Sequence, residues 1–411
     1  MTPYLAIGVA TCSFLCLAAG CHQSKWPEQR PLTPEAAATL RTIAERNLIA
    51  SEVASSSFQG ESWSIGAIPW NSTTLPLLSP DGKWIATSSG GTPSNAMQLA
   101  LPGASIPEDA KIEIWEVLHS RRGIHSQNTI SGSVLLTDSA DDEGFLVESP
   151  RADGSRWIGK IDWRTGKLQW LVQDDHVNTM PSLGPRGRLA WCVRTQQEIE
   201  FSLAIRFQDE REFVLPVNKG EWLLPMWSDR SSRLSAWLLG EDGALSIVSI
   251  DGESPDTLES SIKQVLIMAG ANRWDALRAT ANRSIVQGLR PSQFEEVIFY
   301  HPIRQRIAVW RPMSLNSDRL ISLANGSIDA VHDHEGNFLL TMPDGLHWQD
   351  FSDPNSIVRV NHVPLYARRT TDPMLPYVLL DPGTNVVRLL GMQGSSQHTQ
   401  ADQPRAEAVE Q

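Results

Sequence analysis

The sequence predicts an all-β protein, and three features of the chain lead to that prediction. Short apolar runs bounded by Pro, Asp and Gly, typical of antiparallel strands joined by tight turns, fill most of the chain after Glu52. The clearest copy is the segment 77–87, Leu-Leu-Ser-Pro-Asp-Gly-Lys-Trp-Ile-Ala-Thr. Looser copies recur about every 40–50 residues, a spacing typical of β-propellers. We therefore predict a single β-propeller over residues 52–392 with about seven four-stranded blades; six or eight blades are alternatives.

The turn Ser79–Gly82 explains why the clearest copy bends. Pro80 fixes φ near the value that the first central position of a turn needs, and Gly82 tolerates the left-handed conformation. Apolar residues on both sides, such as Leu78 and Ile85, predict strands that are buried on both faces. The Ser-Pro-Asp-Gly turn resembles the repeat of WD40-like and TolB-like propeller proteins.

Seven units of this kind can be placed along the chain. They cover residues 75–130, 134–172, 180–217, 222–252, 296–323, 327–363 and 365–392. The second unit ends in Asp162-Trp163-Arg164-Thr165-Gly166-Lys167-Leu168-Gln169-Trp170, which is similar to the outer hairpin of quinoprotein-type propeller repeats. That resemblance implies a hairpin closed by Thr165-Gly166, with Trp170 packed on the neighbouring blade. It bears on the fold alone, and we expect no cofactor.

Three segments depart from the repeat. Residues 62–67 have no unit of their own, so we expect them to pair with the last blade and leave no free edge. Residues 256–283 lack alternation, and apolar residues at helical spacing predict a short helical insertion, although the run Val265–Met268 also fits a strand. Residues 393–411 are polar and are expected to form a disordered tail.

The N-terminus carries a segment with a targeting pattern. Residues 5–20 are uncharged and mostly apolar, too short for a comfortable membrane span and the right length for the core of a signal peptide. They lead into Leu17-Ala18-Ala19-Gly20-Cys21, which resembles the lipobox of bacterial lipoproteins. The first four residues lack Lys and Arg, and Leu17 is one place further from Cys21 than is usual. The resemblance implies a signal peptide over 1–20 and a diacylglycerol on the Cys21 thiol; an ordinary cleaved signal and an uncleaved anchor are alternatives.

The lipoprotein resemblance also implies a location. A lipid on Cys21 would hold the protein in the cell envelope, facing the periplasm. His22 at the next position, where Asp would retain the protein, favours the outer membrane by analogy with the enterobacterial sorting rule. Residues 21–32 are polar, contain two prolines and predict a tether. Residues 33–48 predict an amphipathic helix, because Thr33-Pro34-Glu35 is a helix-start pattern.

The composition limits the class of partner. The 411-residue chain has a net charge of −12, which argues against nucleic acid, because that ligand calls for a clustered basic surface. It holds 15 Trp against 4 Tyr, and we expect these Trp side chains to fill the gaps between sheets, with an aromatic ligand platform as the alternative. Of the four cysteines only Cys192 lies in the globular part, where the apolar run Leu189–Val193 predicts a buried structural thiol.

The sequence lacks linear motifs for catalysis and metal binding. There is no Gly-x-Ser-x-Gly elbow, His-Glu-x-x-His pair, phosphate loop or Cys-x-x-Cys pair, so we predict no catalytic residue. His332 and His334 would share one face of a strand, and with His301 or His362 they could bind a metal; a polar turn is the alternative.

Two further polar clusters are predicted to be solvated surface. Asp174-Asp175-His176 is expected in a loop between blades, with a binding site as the alternative. The second cluster is rich in arginine, and an anion-binding channel mouth is its alternative. It contains Arg278, Arg283, Arg290, Arg304 and Arg306.

These observations favour a binding protein over an enzyme. We expect a lipid-anchored envelope β-propeller that acts as a protein-interaction or scaffold module, with the membrane as one partner through the lipid and a protein as the other. It is similar in kind to the propeller lipoprotein of outer-membrane protein assembly and to periplasmic TolB-type propellers. The alternative is a propeller enzyme or carbohydrate-binding protein with its site in the central channel. Several carboxylates, or His with a carboxylate, around one channel cavity would favour that alternative.

Overall fold

Strands joined by turns make up almost all of the chain that the computed structural model describes. The described residues contain 28 β-strands and one short 3-10 turn, Pro185–Gly187, and no α-helix. They cover 58–69, 75–89, 111–118, 123–132, 134–215, 220–228, 232–240, 244–251, 262–268, 290–291, 296–301, 306–311, 320–332, 337–350, 356–383 and 386–396.

The strands fall into seven groups of four. The first three groups are β2 (Leu77–Leu78), β3 (Trp84–Ser89), β4 (Lys111–Leu118) and β5 (Gly123–Ser131); β6 (Leu135–Ala140), β7 (Gly144–Pro150), β8 (Arg156–Asp162) and β9 (Leu168–Val172); and β10 (Val177–Leu183), β11 (Leu189–Arg194), β12 (Ser202–Arg206) and β13 (Glu212–Leu215). The fourth and fifth are β14 (Glu221–Trp227), β15 (Arg233–Leu239), β16 (Leu245–Asp251) and β17 (Ile262–Met268); and β18 (Arg290–Pro291), β19 (Val297–His301), β20 (Arg306–Trp310) and β21 (Leu320–Ser322). The sixth is β22 (Asp329–His332), β23 (Phe338–Met342), β24 (Gly345–Gln349) and β25 (Ile357–Asn361), and the seventh combines β26 (Tyr366–Arg369), β27 (Tyr377–Pro382) and β28 (Val386–Ser396) with β1 (Phe58–Pro69).

Each group is an antiparallel sheet whose strands follow one another along the chain, apart from β1 in the seventh. Groups two and three are joined into one eight-stranded sheet by a single parallel pair, Val177 with Arg156. The first strands of several neighbouring groups also contact one another, among them β6 with β10, β10 with β14 and β22 with β26. These first strands therefore lie towards the axis of the assembly, and the fourth strands lie at its periphery.

The N-terminal strand closes the last sheet, as the sequence predicts. β1 pairs antiparallel with β28 from Phe58 opposite Ser396 to Pro69 opposite Val386. The predicted closing segment, 62–67, lies within this pairing. The first and last strands of the described chain are thus held in one sheet.

The seven groups pack face to face in a closed ring. Seven buried apolar clusters each contain residues from neighbouring groups, and the last joins group seven to group one. One residue from each side of each junction, in ring order, is Ile114 and Phe145, Ile158 and Trp191, Ile205 and Trp222, Ile247 and Phe299, Val309 and Phe338, Leu339 and Tyr377, and Val378 and Ile85. A closed ring of antiparallel sheets is the architecture of a β-propeller.

Tryptophan fills this core, as expected. Trp163, Trp222 and Trp227 are among the largest fully buried side chains of the described residues. The Trp163 ring packs 4.5 Å from the ring of Phe145, in the gap between groups one and two. Large flat rings bury much apolar area in such gaps, which explains why this chain uses so many of them.

The turn Ser79–Gly82 adopts the geometry that its residues predict. The Gly82 N–H donates to the Ser79 carbonyl at 2.9 Å, and Gly82 has a φ of 71°, in the left-handed region. The Ser79 hydroxyl accepts from the Trp84 N–H at 2.9 Å and donates to Asp81 at 2.7 Å. Local side-chain hydrogen bonds therefore fix where β2 ends and β3 begins.

The hairpin between β8 and β9 also matches its prediction. One carboxylate oxygen of Asp162 accepts from the Thr165 N–H at 2.7 Å and from its hydroxyl at 2.8 Å. Gly166 has a φ of 64° and donates to the Asp162 carbonyl at 2.9 Å. Trp170 packs against the core cluster shared with group one, as the quinoprotein-type resemblance implies.

Two predicted segments differ from the structure. Within the helical insertion expected over 256–283, the alternative prediction of a strand at Val265–Met268 is confirmed, because this run lies in β17, which pairs with β16 and completes the fourth sheet. The disordered tail expected from residue 393 begins no earlier than 397, because residues 393–396 extend β28 and pair with β1. In both segments, backbone pairing within a sheet overrides the local sequence pattern.

Several predictions lie outside the described residues. These are the signal peptide 1–20, the tether 21–32, the helix 33–48, the rest of the helical insertion and the tail from 397. The described chain belongs to one compact unit, Ser55–Gln411.

Ring closure makes the buried face of β1 a sensitive point. Ile68 is fully buried between groups seven and one, so Ile68→Ala is expected to lower the free energy of unfolding by about 2–5 kcal/mol. Chemical denaturation followed by intrinsic Trp fluorescence measures this. Ser64→Ala, on the same strand at an exposed position, is the control and should change stability by no more than about 0.5 kcal/mol. Equal effects at the two positions would contradict the role assigned to this strand.

Candidate functional site

The most unusual feature of the described residues is a set of charged side chains that are buried near the first strands of the groups. Charged groups enter a protein interior at a cost unless they are paired and hydrogen-bonded. They are therefore the natural candidates for a site in a propeller. Three such clusters lie at junctions between neighbouring groups.

The first cluster joins groups two and three and centres on Glu148 of β7. Its carboxylate is fully buried and lies 2.8 Å from the Arg156 guanidinium, which is also buried. The other groups that donate to it are the Thr179 hydroxyl at 2.9 Å and the Met180 N–H at 2.8 Å, both from β10. These three contacts, from strands of both groups, satisfy the charge and fix how β7 and β8 meet β10.

A bulge in β10 presents the Met180 N–H to this carboxylate. Met180 has a φ of 53°, rare for a residue other than glycine, and the register of β10 against β11 shifts between Thr179 and Ser182. Leu224 of β14 repeats this feature, with a φ of 49°, and its N–H lies 3.4 Å from the Met180 sulfur. Both residues precede a proline, so one sequence pattern produces matching bulges in two adjacent first strands.

The second cluster joins groups five and six. Glu296, fully buried just before β19, lies 2.5 Å from the Nε2 atom of His332 at the end of β22. Its other carboxylate oxygen contacts the Nε atom of Arg311, just after β20. The His332 ring packs against Phe338, with ring centroids 4.2 Å apart. A histidine beside a carboxylate can transfer protons, but here both side chains are buried between sheets.

The third cluster joins groups six and seven. Asp329, at the start of β22, lies 2.6 Å from the Arg368 guanidinium on β26. Burial, followed by the negative charge of Asp329, raises the pKa of Tyr366 on the same strand as Arg368. Asp329 and His332 occupy opposite faces of β22, and each contacts a different neighbouring group. Because side chains alternate between the two faces of a β-strand, β22 of group six contacts group five on one face and group seven on the other.

These clusters act between sheets. Each places a buried carboxylate of one group against a cation of its own or a neighbouring group, and each includes a contact to the neighbouring sheet. The sequence does not predict the roles of Glu148, Glu296 and Asp329, because no linear motif contains them. A carboxylate inside an apolar run, as in Phe145-Leu146-Val147-Glu148, is the only signal that the sequence offers.

The described residues do not contain the metal site suggested for His332 and His334. No group of three or more His, Cys, Asp or Glu side chains there could hold an ion. His332 contacts Glu296, the His301 ring stacks on Phe299, and His362 is exposed after β25. His334 lies outside the described residues.

The predicted solvated loop between blades is confirmed. Asp174, Asp175 and His176 connect β9 to β10; the two aspartates are exposed and His176 is partly exposed. The Asp174 carboxylate accepts from the His176 N–H at 2.9 Å and from the Asn178 amide at 2.7 Å, so it shapes the loop. Of the arginine-rich cluster, the structure describes the side chain of Arg306 alone, half-buried at the start of β20.

Cys192 is a buried thiol, as predicted. It is fully buried on β11, and burial raises the pKa of the thiol well above its ordinary value. Its Sγ lies 3.3 Å from the Trp222 carbonyl. A thiol held protonated in this way is a poor nucleophile. Cys21, the predicted lipidation site, lies outside the described residues.

The surface offers a different kind of feature, namely exposed apolar side chains. Ile199 and Met374 project from connecting loops. Leu168, Val214 and Ile267 lie on β9, β13 and β17, the peripheral strands of three consecutive groups. No helix among the described residues is long and apolar enough to cross a membrane.

No protein-family model matches this sequence, and no curated protein matches it. Among solved structures, the chain is similar to TolB from Acinetobacter baumannii, at 18% identity over 44% of this chain and 41% of that one, with a TM-score of 0.31. It is similar to the β-propeller domain of Cps50 (Swd1) from Myceliophteria thermophila, at 12% identity over 81% of this chain and 100% of that one, with a TM-score of 0.47. It is also similar to puromycin hydrolase, at 16% identity over 43% of this chain and 27% of that one, with a TM-score of 0.34.

The chain therefore covers less than half of the TolB structure and less than a third of puromycin hydrolase. All three TM-scores lie below 0.5. The β-propeller assignment accordingly rests on the strand pairing and the closed ring of packed sheets.

The buried pair Glu148–Arg156 should be costly to break on one side. Arg156→Met leaves the buried Glu148 carboxylate without its cation, and we expect a loss of about 3–5 kcal/mol in the free energy of unfolding. Adding Glu148→Gln should recover part of that loss. The control is Arg211→Met, which removes an exposed pair with Asp209 and should leave the free energy of unfolding almost unchanged, because solvent screens such a pair. Denaturation curves of the four proteins measure these differences, and a double variant no more stable than Arg156→Met would contradict the pairing.

A contact between two turns should respond to pH. Burial, followed by the charge of Asp81, raises the pKa of Asp142, so at neutral pH the ionised Asp142 destabilises the fold. Because this pKa is raised, the cost disappears as pH falls below the ordinary aspartate value and appears as pH rises through the folded-state value. Asp142→Asn should therefore raise the melting temperature slightly at pH 7 and not at pH 3. Melting curves at both pH values measure this, and a gain of equal size at pH 3 would contradict the electrostatic origin.

Proposed function

We propose that the protein is a lipid-anchored β-propeller of the cell envelope that binds a partner protein as an interaction or scaffold module. One observation carries the preference for binding over catalysis. The buried carboxylates Glu148, Glu296 and Asp329 each contact an arginine, and each cluster includes a contact to a neighbouring sheet, so these charges hold neighbouring sheets of the ring together. The exposed apolar side chains are on loops and peripheral strands, where a partner protein can cover them.

We propose further that each strand group is one blade, which gives a propeller of seven blades. The pairing of the 28 described strands into seven groups of four supports this count. Groups two and three count as separate blades, because one parallel residue pair alone joins them. Closure by β1 completes the seventh.

The anchor belongs to the same proposal. The lipobox-like segment ending in Cys21 supports lipidation, and the expected orientation is towards the periplasm, with the outer membrane favoured over the inner.

The alternative is a propeller enzyme or carbohydrate-binding protein. One observation favours it, namely the contact between His332 and Glu296, because a histidine and a carboxylate can exchange a proton. Their burial argues against it, because a substrate would have to reach side chains that are 3% and 0% exposed.

Anchoring and partner binding can be tested with one pair of proteins. Wild-type and Cys21→Ser protein, each with a C-terminal affinity tag, are expressed in the native host. Wild type should fractionate with membranes and Cys21→Ser should be soluble, because the thiol that carries the lipid is missing. A substituted protein that stays on membranes would overturn the lipid anchor.

Partner binding is read from the same cells after mild chemical cross-linking and detergent extraction. We expect the wild-type protein to recover at least one envelope protein in a stable ratio to itself. Recovery of no protein above the level of an untagged strain would overturn the binding role. It would also return attention to His332 and Glu296.

A further inference from the structure

The peripheral strand of the fourth group differs from the other exposed sheet edges of the described chain. Among the residues that the structure describes, β17 pairs with β16 alone, so one row of its backbone N–H and C=O groups faces away from that sheet. It is seven residues long, whereas β9 and β13, the other peripheral strands with an exposed large apolar residue, have five and four. A long apolar edge is a template for another strand.

Side-chain exposure along β17 points the same way. Ile267 is 65% exposed, compared with 49% for Val214 on β13 and 36% for Leu168 on β9. Its neighbour Leu266 packs against the core on the opposite face. Leu266 thus holds this part of the strand against the core, and Ile267 places an exposed apolar side chain beside the edge.

Proteins usually protect such edges with charges, prolines or bulges. In β17, Lys263 and the bulge opposite Ser249 and Ile250 both lie at the N-terminal end of the strand. The remainder, Gln264–Met268, has no charge, no proline and a regular register with β16. Charge, proline and bulge, three of the usual protections, are therefore missing from the half of this described strand that contains Ile267.

We propose that this edge binds an extended segment of a partner protein, which adds to the fourth group as a fifth strand beside β17. Backbone hydrogen bonds would hold the segment, and its recognition would come from an apolar, preferably β-branched residue placed next to Ile267. Because Gln264–Met268 is uncharged, the segment that fits it is neutral and alternates apolar with polar residues. This inference rests on the proposed role as a protein-binding module and names the chemistry of the partner.

The test uses hydrogen–deuterium exchange on the full-length protein. The probe is a capped seven-residue peptide in which Val alternates with Thr, and the control peptide has the same composition with the Val residues adjacent. The alternating peptide should slow amide exchange in 262–268 in a saturable manner, and the control peptide should not. Absence of slowing at peptide concentrations up to the millimolar range would overturn the proposal.

Matched substitutions localise the effect. Ile267→Lys should weaken binding of the alternating peptide by about tenfold or more, because the apolar contact is lost. Met374→Lys places the same charge at a position that is 76% exposed in a turn, and it should leave binding unchanged. Equal binding by wild type and Ile267→Lys would overturn the proposal. If both of these proteins still recover the same envelope partner after cross-linking, the binding role stands and the partner docks elsewhere.

Discussion

The pairing of β1 with β28 is the constraint on which the rest of the structure depends. It places the start and the end of the described chain in one sheet, so the ring cannot open without breaking that pairing. The fit is close at Gly391, where a Cβ atom would lie 2.4 Å from the Trp63 ring. Because Gly391 has no Cβ atom, the Trp63 side chain can lie across β28. A larger residue at position 391 would clash with Trp63 and disturb the pairing that closes the ring.

Once the ring is closed, every sheet is buried on two faces, and the junctions decide which residues can be charged. The charged clusters at Glu148, Glu296 and Asp329 each combine cations with a contact to the neighbouring sheet. Buried pairs of this kind add little net stability compared with apolar residues, but breaking one partner is expensive. They consequently favour one alignment of neighbouring sheets over others. Their charged groups bind one another between the sheets of the fold.

Because these charged clusters lie between sheets, the outer surface of the ring is the better candidate for a binding function. There the described chain offers apolar side chains on loops and on peripheral strands. The edge of β17 combines the exposed Ile267 with a seven-residue strand whose stretch Gln264–Met268 carries no charge. A propeller that joins proteins together needs such surfaces, and it does not need a reactive group in its core.

The sequence by itself determined the all-β class, the turn at Ser79–Gly82, the hairpin after Asp162 and the closing role of residues 62–67, because turn chemistry and short-range alternation are local. It could not show that Val265–Met268 is a strand, since its apolar spacing also suits a helix and only pairing with β16 decides between them. The partners of Glu148 and His332 were equally hidden, because Met180 and Glu296 come from neighbouring groups of the ring. Contacts between residues far apart in the chain depend on how the sheets pack, and the tertiary structure alone decided them.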